Sequence, residues 1–341
     1  MTGGIPVRRG TALLALALLL HAGSAGAEAF KLELPVDCLG SHCRIARYVD
    51  DDPAKASVRD YGCGRAALDG DTGMDIALHD QKEMISGRGG SVFAAAPGKV
   101  TRVRDGMEDA SVVVLGPEKV KGKECGNAVT LDHGDGWETE YCHLLKGSLA
   151  VVEGETVAVG APLGMIGISG AAEFPHLHFE VRKNKKIVDP FLGPTPPTTD
   201  AACGVGEGTL WSKAALAAMP YAPIIVYNVG LSAQAPTLVE ARAGTLHARA
   251  FPKDAPVMYA WGEVTGMQPG DTLIFRITFP DGKKREAKTT LTTVPPAYLP
   301  ALTTKRPGEA WQKGRYVFEL TAIRPGKNGG IYIARQNTNV P

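Results

Sequence analysis

The chain lacks an excess of charge of either sign. Its 341 residues include 37 Lys and Arg against 36 Asp and Glu, which gives a formal net charge of +1. Proteins that grip phosphate backbones carry a strongly basic surface, so this balance argues against a nucleic-acid partner. Aromatic residues make up only 6%, whereas Gly (41) and Pro (24) are plentiful. That mixture favours turn-rich, mostly β structure over a helical bundle.

The chain also lacks an apolar run long enough to cross a bilayer, which takes about 20 residues. Near the start, Arg8 and Arg9 precede a nine-residue apolar run, Ala12–Leu20, and small residues follow as far as Ala27. This is the layout of a secretory signal. We predict a signal peptide over residues 1–27, with an uncleaved anchor as the alternative. The mature chain is then expected to have no membrane span and to be exported, to a bacterial periplasm or outright by secretion.

None of the six cysteines forms a C-x-x-C pair, which argues against a zinc ribbon or a thioredoxin-type site. An even number in an exported chain favours disulfides, although six cysteines allow 15 pairings. Cys125 and Cys142 lie at similar distances on either side of a turn signal at 133–136, so a hairpin there would bring them together. The other predicted bridges are a short loop, Cys38–Cys43, and by elimination Cys63–Cys203.

The length predicts two domains, at roughly 100–200 residues per domain. Short β-like runs broken by Gly and Pro predict a compact all-β first domain. Its predicted strands are Ser91–Ala96, Lys99–Val103, Ser111–Leu115, Ala128–Leu131, Glu138–Leu144, Val151–Val159, Pro162–Ile168 and His176–Arg182. After the signal peptide, the predicted division is a disulfide-tethered leader (28–60), the β domain (61–193), a linker with a short helix capped by Ser212 (194–219) and a smaller, immunoglobulin-like β-sandwich (220–341).

Alternation of apolar residues carries the prediction for the C-terminal part. Leu273, Phe275 and Ile277 alternate before a hairpin turn at Asp281-Gly282. This part holds no catalytic cluster in the sequence, and its single histidine, His247, is expected to lack nearby partners. We therefore predict a binding or scaffolding role for it, as the contact for a protein partner.

Three segments of the first domain carry residues suited to metal or proton chemistry. Asp71 and Asp75 would share one face of an extended segment with Gly73 between them, although an ordinary polar loop is the better interpretation of that segment alone. His143 follows Cys142 on a predicted strand, where a lone histidine is more often structural. In His176-Leu177-His178 both imidazoles share a face, which is typical of a metal ligand or an acid–base pair, with a chance polar pair as the alternative.

In this order the segments resemble the M23 peptidase family, the lysostaphin- or LytM-type zinc endopeptidases of bacterial cell walls, over about residues 60–193. The resemblance implies a compact antiparallel β domain with the metal in an open groove. The matching segments are Gly73-x-Asp75-Ile76-Ala77, Ala94–Val100, Gly126-Asn127-x-Val129-x-Leu131-x-His133-Gly134, Tyr141–Leu144, Gly164-x-Ile166-Gly167-x-Ser169-Gly170 and Pro175–Glu180.

The family's metal signature is H-x-x-x-D followed by H-x-H. The resemblance implies that Asp75 and His178 bind the metal and that His143 and His176 handle protons and stabilise the oxyanion. The first ligand position, a histidine in the family, falls on Asp71. Tyr141 and Asn127 lie within the matching segments and are predicted to bind substrate.

The aspartate at position 71, where the family has a histidine, affects the expected metal chemistry. A catalytic zinc needs three protein ligands and one open position for water. Asp71, Asp75 and His178 can supply the three ligands of one ion. Two carboxylates make that ion a weaker Lewis acid and favour manganese or iron as alternatives to zinc. His79 is a conceivable substitute ligand, but an unbroken strand would place it about 13 Å beyond Asp75.

Three functional hypotheses follow. The first is an exported metal-dependent endopeptidase that hydrolyses peptide cross-links of bacterial peptidoglycan, favoured by the three retained histidines. The second is a non-catalytic module of the same fold that binds wall peptides or activates another hydrolase, favoured by the missing first ligand. The third, a disulfide-stapled exported β protein with no site, has the least support.

Overall fold

The structure, a computed structural model, describes residues 1–3, 29–195, 203–247, 250–294, 298–326 and 329–341. The chain divides into two compact units, residues 1–30 and residues 31–341. The predicted signal peptide over 1–27 lies, beyond residue 3, outside the described residues. No helix in the described part of the chain has the length and apolar character needed to cross a bilayer.

The N-terminal part of the larger unit is built on β-strands, as the composition predicts. The strands are β1 (Cys43–Arg47), β2 (Met74–Leu78), β3 (Ser91–Phe93), β4 (Gly98–Arg104), β5 (Asn127–Asp132), β6 (Trp137–Leu144), β7 (Thr156–Val157), β8 (Pro162–Met165), β9 (His176–Lys183) and β10 (Lys186–Ile187). Eight of them form one antiparallel sheet in the order β1-β2-β9-β6-β5-β4-β7, with β10 paired to β9. Strands β3 and β8 pair separately.

The hairpin between β5 and β6 forms where the turn signal predicts it. The backbone N–H of His133 donates to the carbonyl of Trp137 at 3.0 Å, and Gly134 and Gly136 take positive φ angles. A side chain at Gly136 would also collide with Asn184. The hairpin brings Cys125 and Cys142 into a disulfide, and the other two predicted bridges, Cys38–Cys43 and Cys63–Cys203, are confirmed as well.

Two predicted strands of this part are wrong. Ser111–Leu115 is a short helix, α2 (Val112–Leu115), because the Ser111 hydroxyl caps it by accepting from the N–H of Val113 at 3.3 Å. Within Val151–Val159 only β7 is extended. The remaining helical segments here are α1 (Gln81–Glu83), a π-helical turn (Met84–Arg88) and a 3-10 turn (Pro117–Lys119).

The C-terminal part contains two further antiparallel sheets. Its elements are α3 (Lys213–Ala218), β11 (Ile225–Ser232), α4 (Leu238–Ala243), β12 (Val257–Thr265), β13 (Thr272–Thr278), β14 (Lys284–Thr290), β15 (Ala301–Lys305), β16 (Gly314–Arg324) and β17 (Gly330–Val340). The sheet β11-β12-β15 and the sheet β14-β13-β16-β17 share one apolar core. This arrangement is that of a β-sandwich, while its immunoglobulin-like character stays a prediction.

In the C-terminal part, the strand predicted from alternating apolar residues and the helix predicted from its capping serine are both confirmed. Leu273, Phe275 and Ile277 are buried on one face of β13, which continues through the hairpin into β14. The hydroxyl of Ser212 accepts from the N–H of Ala215 at 3.0 Å and caps α3. The expectation that His247 lacks partners is wrong, because its Nε2 lies 3.1 Å from the amide oxygen of Asn228 and its ring packs on Trp261.

Two acidic residues interact with each other, Asp51 before β2 and Asp189 after β10. Burial raises the pKa of Asp51 to about 6, and burial together with Asp51 raises that of Asp189 well above its usual range. Asp51 also faces Arg59, Asp50 and Asp60. The folded state therefore retains protons that the unfolded chain releases above about pH 4, so the pair's contribution to stability falls as the pH rises through about 6.

We expect Asp51→Asn to gain stability relative to the wild type as the pH is raised from 4 to 7, by on the order of 2 kcal/mol in the free energy of unfolding. Urea unfolding at a series of pH values measures it. Asp52→Asn is the control, because the Ser57 hydroxyl and the Ala54 N–H lower the pKa of Asp52, so Asp52 titrates below about pH 4 and its variant should follow the wild type over the same interval. If the unfolding free energies of the two variants followed parallel pH profiles, that would contradict the interpretation that Asp51 retains a proton in the folded state.

Candidate metal centre

Strands β2 and β9 position the predicted ligands. They pair antiparallel, with Asp75 opposite His178 and Ala77 opposite His176. On the other side of β9, Cys142 of β6 lies opposite His178. Since side chains of directly opposed residues point to the same face of a sheet, the pairing brings together Asp75 and His178, which are 103 positions apart in the chain. Leu177, Phe179 and Val181 are buried in the core, as the alternation predicts.

Asp71, Asp75 and His178 form the candidate metal cluster. His178 Nδ1 lies 3.0 Å from Asp75 Oδ1 and 3.5 Å from Asp71 Oδ1, and one donor atom from each residue lies within 4.8 Å of the others. Donor atoms about 2.0–2.1 Å from a tetrahedral ion lie about 3.3 Å apart. Two carboxylate oxygens and one imidazole nitrogen at these separations therefore fit a divalent metal ion.

Gly73 is needed for this arrangement. A Cβ at this position would lie 2.6 Å from His178 Nε2 and 2.8 Å from the carbonyl oxygen of Phe179. The glycine between the two aspartates thus makes room for the His178 ring.

His143 stands at a bend at the end of β6. Its φ of 62° lies in the left-handed region, which is uncommon for a residue with a side chain. The backbone N–H of His143 donates to the carbonyl of Cys125 at 2.8 Å, next to the Cys125–Cys142 bridge. The imidazole Nδ1 donates to the carbonyl of Ser169 at 2.7 Å, and the ring centre lies 4.6 Å from that of His176. These contacts fix the tautomer and leave Nε2 as the proton acceptor.

His176 is held in the same way. Its Nδ1 donates to the carbonyl of Phe174 at 2.8 Å, and its Nε2 lies 3.5 Å from Asp75 Oδ1. Burial lowers the pKa values of both His143 and His176. Both rings are therefore neutral at pH 7 and able to accept a proton.

The charges within the cluster favour one bound cation. Burial and the neighbouring Asp75 carboxylate raise the pKa of Asp71 to about 7. Burial opposes the charge on Asp75 and on His178. At Asp75 the neighbouring His176 and His178 outweigh burial and hold its pKa below the usual range. At His178 the Asp75 and Glu180 carboxylates outweigh burial and raise the pKa to about 10. A metal ion that binds His178 must displace the proton of its imidazole, so metal affinity should rise with pH.

Sequence reasoning missed two charged residues that border the cluster. Arg47 Nη1 lies 3.6 Å from Asp75 Oδ2, because β1 pairs with β2 and sets Arg47 opposite Asp75. Glu180 accepts from the Thr72 hydroxyl and pairs with Arg182. Alternation along His176-Leu177-His178-Phe179-Glu180 would have found Glu180, whereas no local signal marks Arg47.

Three other predicted residues are not members of the cluster of Asp71, Asp75 and His178. Tyr141 is buried, and its hydroxyl accepts from the N–H of Ala95 at 2.8 Å. Asn127 is buried and bridges backbone groups of Met107 and Leu144. His79 contacts Glu83 and Arg44. These contacts help to hold the fold, and the substrate-binding role of Tyr141 and Asn127 stays a prediction.

Comparison with known proteins identifies the class of this domain. Residues 71–190 match the model of peptidase family M23. Residues 71–190 therefore form an M23 family domain, in the part of the fold that carries the cluster.

Relatives of known name match part of the chain. Over 78 residues the chain is 44% identical to the DD-carboxypeptidase/endopeptidase Mpg of Neisseria meningitidis serogroup B, covering 22% of this chain and 17% of that protein. Over 121 residues it is 28% identical to the peptidoglycan DD-endopeptidase ShyB of Vibrio cholerae, covering 36% and 24%. A solved zinc containing peptidase from Vibrio cholerae is 25% identical, with a TM-score of 0.32 and coverage of 48% and 39%. The matches to Mpg and ShyB thus span less than a quarter of the length of each of these two relatives.

Proposed function

We propose that this protein is an exported, metal-dependent endopeptidase that hydrolyses peptide cross-links of bacterial peptidoglycan. The observation that carries the proposal is the meeting of one imidazole and two carboxylates at ligand spacing with two neutral histidines beside them. The M23 match and the names of the relatives support the reaction class and the substrate. Three disulfides support export, because such bonds persist in oxidising compartments.

Asp71, Asp75 and His178 would hold one zinc ion, with manganese or iron as alternatives. A divalent ion held there supplies Lewis-acid polarisation of a carbonyl and a lowered pKa for water. His143 and His176 supply the proton transfers: each is neutral, and each has its Nδ1 committed to a backbone carbonyl. The Nε2 atom of either histidine is therefore free of a proton, and it can accept one from the attacking water and return it to the leaving amine.

Asp71 is the residue on which the enzymatic proposal depends most. Purified protein stripped with EDTA and dialysed against zinc should hold one equivalent by elemental analysis and release peptides from purified sacculi. Asp71→Ala should weaken zinc affinity about tenfold or more, because it removes one of three ligands. Asp69→Ala is the matched control, since Asp69 is exposed and its carboxylate accepts from the N–H of Ala56 outside the cluster.

Each result discriminates between the hypotheses. Zinc affinity unchanged in Asp71→Ala would show that Asp71 is not a ligand. A large rise in affinity and activity in Asp71→His would show that the wild-type centre is a decayed one. Wild-type protein that neither binds metal nor releases peptides, with zinc or manganese added, would favour a non-catalytic module that binds wall peptides.

A further inference from the structure

We propose that the C-terminal sandwich positions His176, and that Arg242 is the positioning residue, acting through Glu173 and Phe174. The catalytic role of His176 rests on the proposed function, whereas its positioning is a separate claim about geometry. The segment concerned, residues 173–176, enters β9 and carries the first histidine of the H-x-H motif.

Phe174 is the direct support of His176. Its carbonyl accepts the Nδ1 proton of His176 at 2.8 Å, and its ring packs on the imidazole with the centres 4.7 Å apart. The Phe174 side chain is buried. Both the tautomer and the orientation of the imidazole therefore depend on where Phe174 lies.

Phe174 is in turn contacted by two residues of the C-terminal sandwich. The guanidinium of Arg242 lies over its ring, 4.8 Å from the centre, and the ring of Tyr227 packs on it at 5.2 Å. Tyr227 and Phe174 share a small buried cluster with Ala46 of β1 and Ala77 of β2. Residues from both parts of the larger unit thus surround the support of His176.

Arg242 is itself rigidly placed. It is buried on α4 and donates from Nε and Nη2 to Glu263 Oε1 of β12 at 2.8 and 2.6 Å. Its Nη1 donates to Glu173 Oε2 at 2.5 Å. A guanidinium fixed by one buried carboxylate presents its remaining donors in a set direction. Arg242 therefore determines where residues 173 and 174 lie.

The sandwich also holds the neighbouring strand. The Tyr227 hydroxyl donates to the carbonyl of Leu78, and the Asn228 amide donates to the carbonyl of His79 at 3.1 Å. Leu78 ends β2, one residue after Ala77, which pairs with His176. Contacts from β11 thus fix the strand beside His176, and those from α4 fix the segment before it.

The test uses the full-length protein and avoids truncating Arg242, because that would leave Glu263 buried and unpaired. Glu173→Ala removes the contact at the exposed end, and Phe174→Leu removes the ring. Glu286→Ala is the matched control: Glu286 is 48% exposed against 47% for Glu173, and it also pairs with an arginine, Arg276.

We expect kcat for peptide release to fall about tenfold in Glu173→Ala and in Phe174→Leu, with KM and zinc affinity within about twofold of wild type, because a misplaced group costs rate rather than binding. Glu286→Ala should retain the wild-type kcat. Unchanged kcat in both test variants, or a rise in KM at constant kcat, would overturn the proposal.

A second readout does not depend on catalysis. Nitrogen-15 NMR of labelled histidine reports which imidazole nitrogen carries the proton, with His176→Gln assigning the signals. Wild type should show His176 as the Nδ1–H tautomer, and both test variants should shift it towards a mixture. Unshifted signals would refute positioning even in an inactive protein, whereas shifted signals without any hydrolysis would sustain positioning and reject only the proposed function.

Discussion

Replacing His178 by alanine is expected to lower zinc affinity by about 100-fold or more and to abolish peptide release. His178 is the only nitrogen donor of the candidate cluster, and its Nδ1 lies within 3.5 Å of both carboxylates. Its removal leaves two carboxylates, whereas a catalytic zinc site needs three protein ligands. Calorimetric titration of EDTA-stripped protein with zinc measures the affinity.

His143→Ala separates metal binding from proton transfer. His143 Nδ1 is committed to Ser169, and its ring centre lies 6.1 Å from that of His178. We expect this variant to keep wild-type zinc affinity. Equal affinity losses in His143→Ala and His178→Ala would contradict the division of the histidines into ligand and proton carrier, and wild-type affinity in His178→Ala would remove the cluster from consideration.

The elements that the sequence predicted well depend on short-range periodicity. Alternation identified β9 and the face shared by His176 and His178, because successive side chains of a strand point to opposite sides. The Gly-rich turn at 133–136 predicted the hairpin, and the hairpin predicted one disulfide. The position of Asp71 near His178 came from a family pattern, since a carboxylate in a polar loop carries no such information by itself.

The residues that sequence reasoning missed reach the site from far along the chain. Arg47 arrives through the pairing of β1 with β2, and Arg242 arrives through the docking of α4. Neither has a local pattern, because an isolated arginine fits an exposed position equally well. The error at Ser111–Leu115 has a different cause: three successive valines favour a strand, but a capping hydroxyl and exposure to solvent allowed a helical turn.

Arg324→Met is expected to lower the free energy of unfolding by about 3–5 kcal/mol, because it leaves a buried carboxylate without its partner. Arg324 donates from Nε and Nη2 to the two oxygens of Asp271, at 3.0 and 2.7 Å, and both side chains are buried. Nη2 also donates to the carbonyl of Gly266 at 2.6 Å. The pair fastens the start of β13 to the end of β16. Urea unfolding followed by tryptophan fluorescence measures the loss.

Two further variants decide whether the buried charge is the cause. Arg335→Met removes an arginine that is 66% exposed and paired with Glu319, and should cost less than about 1 kcal/mol. The double variant Arg324→Met with Asp271→Leu removes both charges and should be more stable than Arg324→Met, because no ion is then left unpaired in the core. If the double variant is instead no more stable than Arg324→Met, then packing around Arg324, and not its charge, joins these strands.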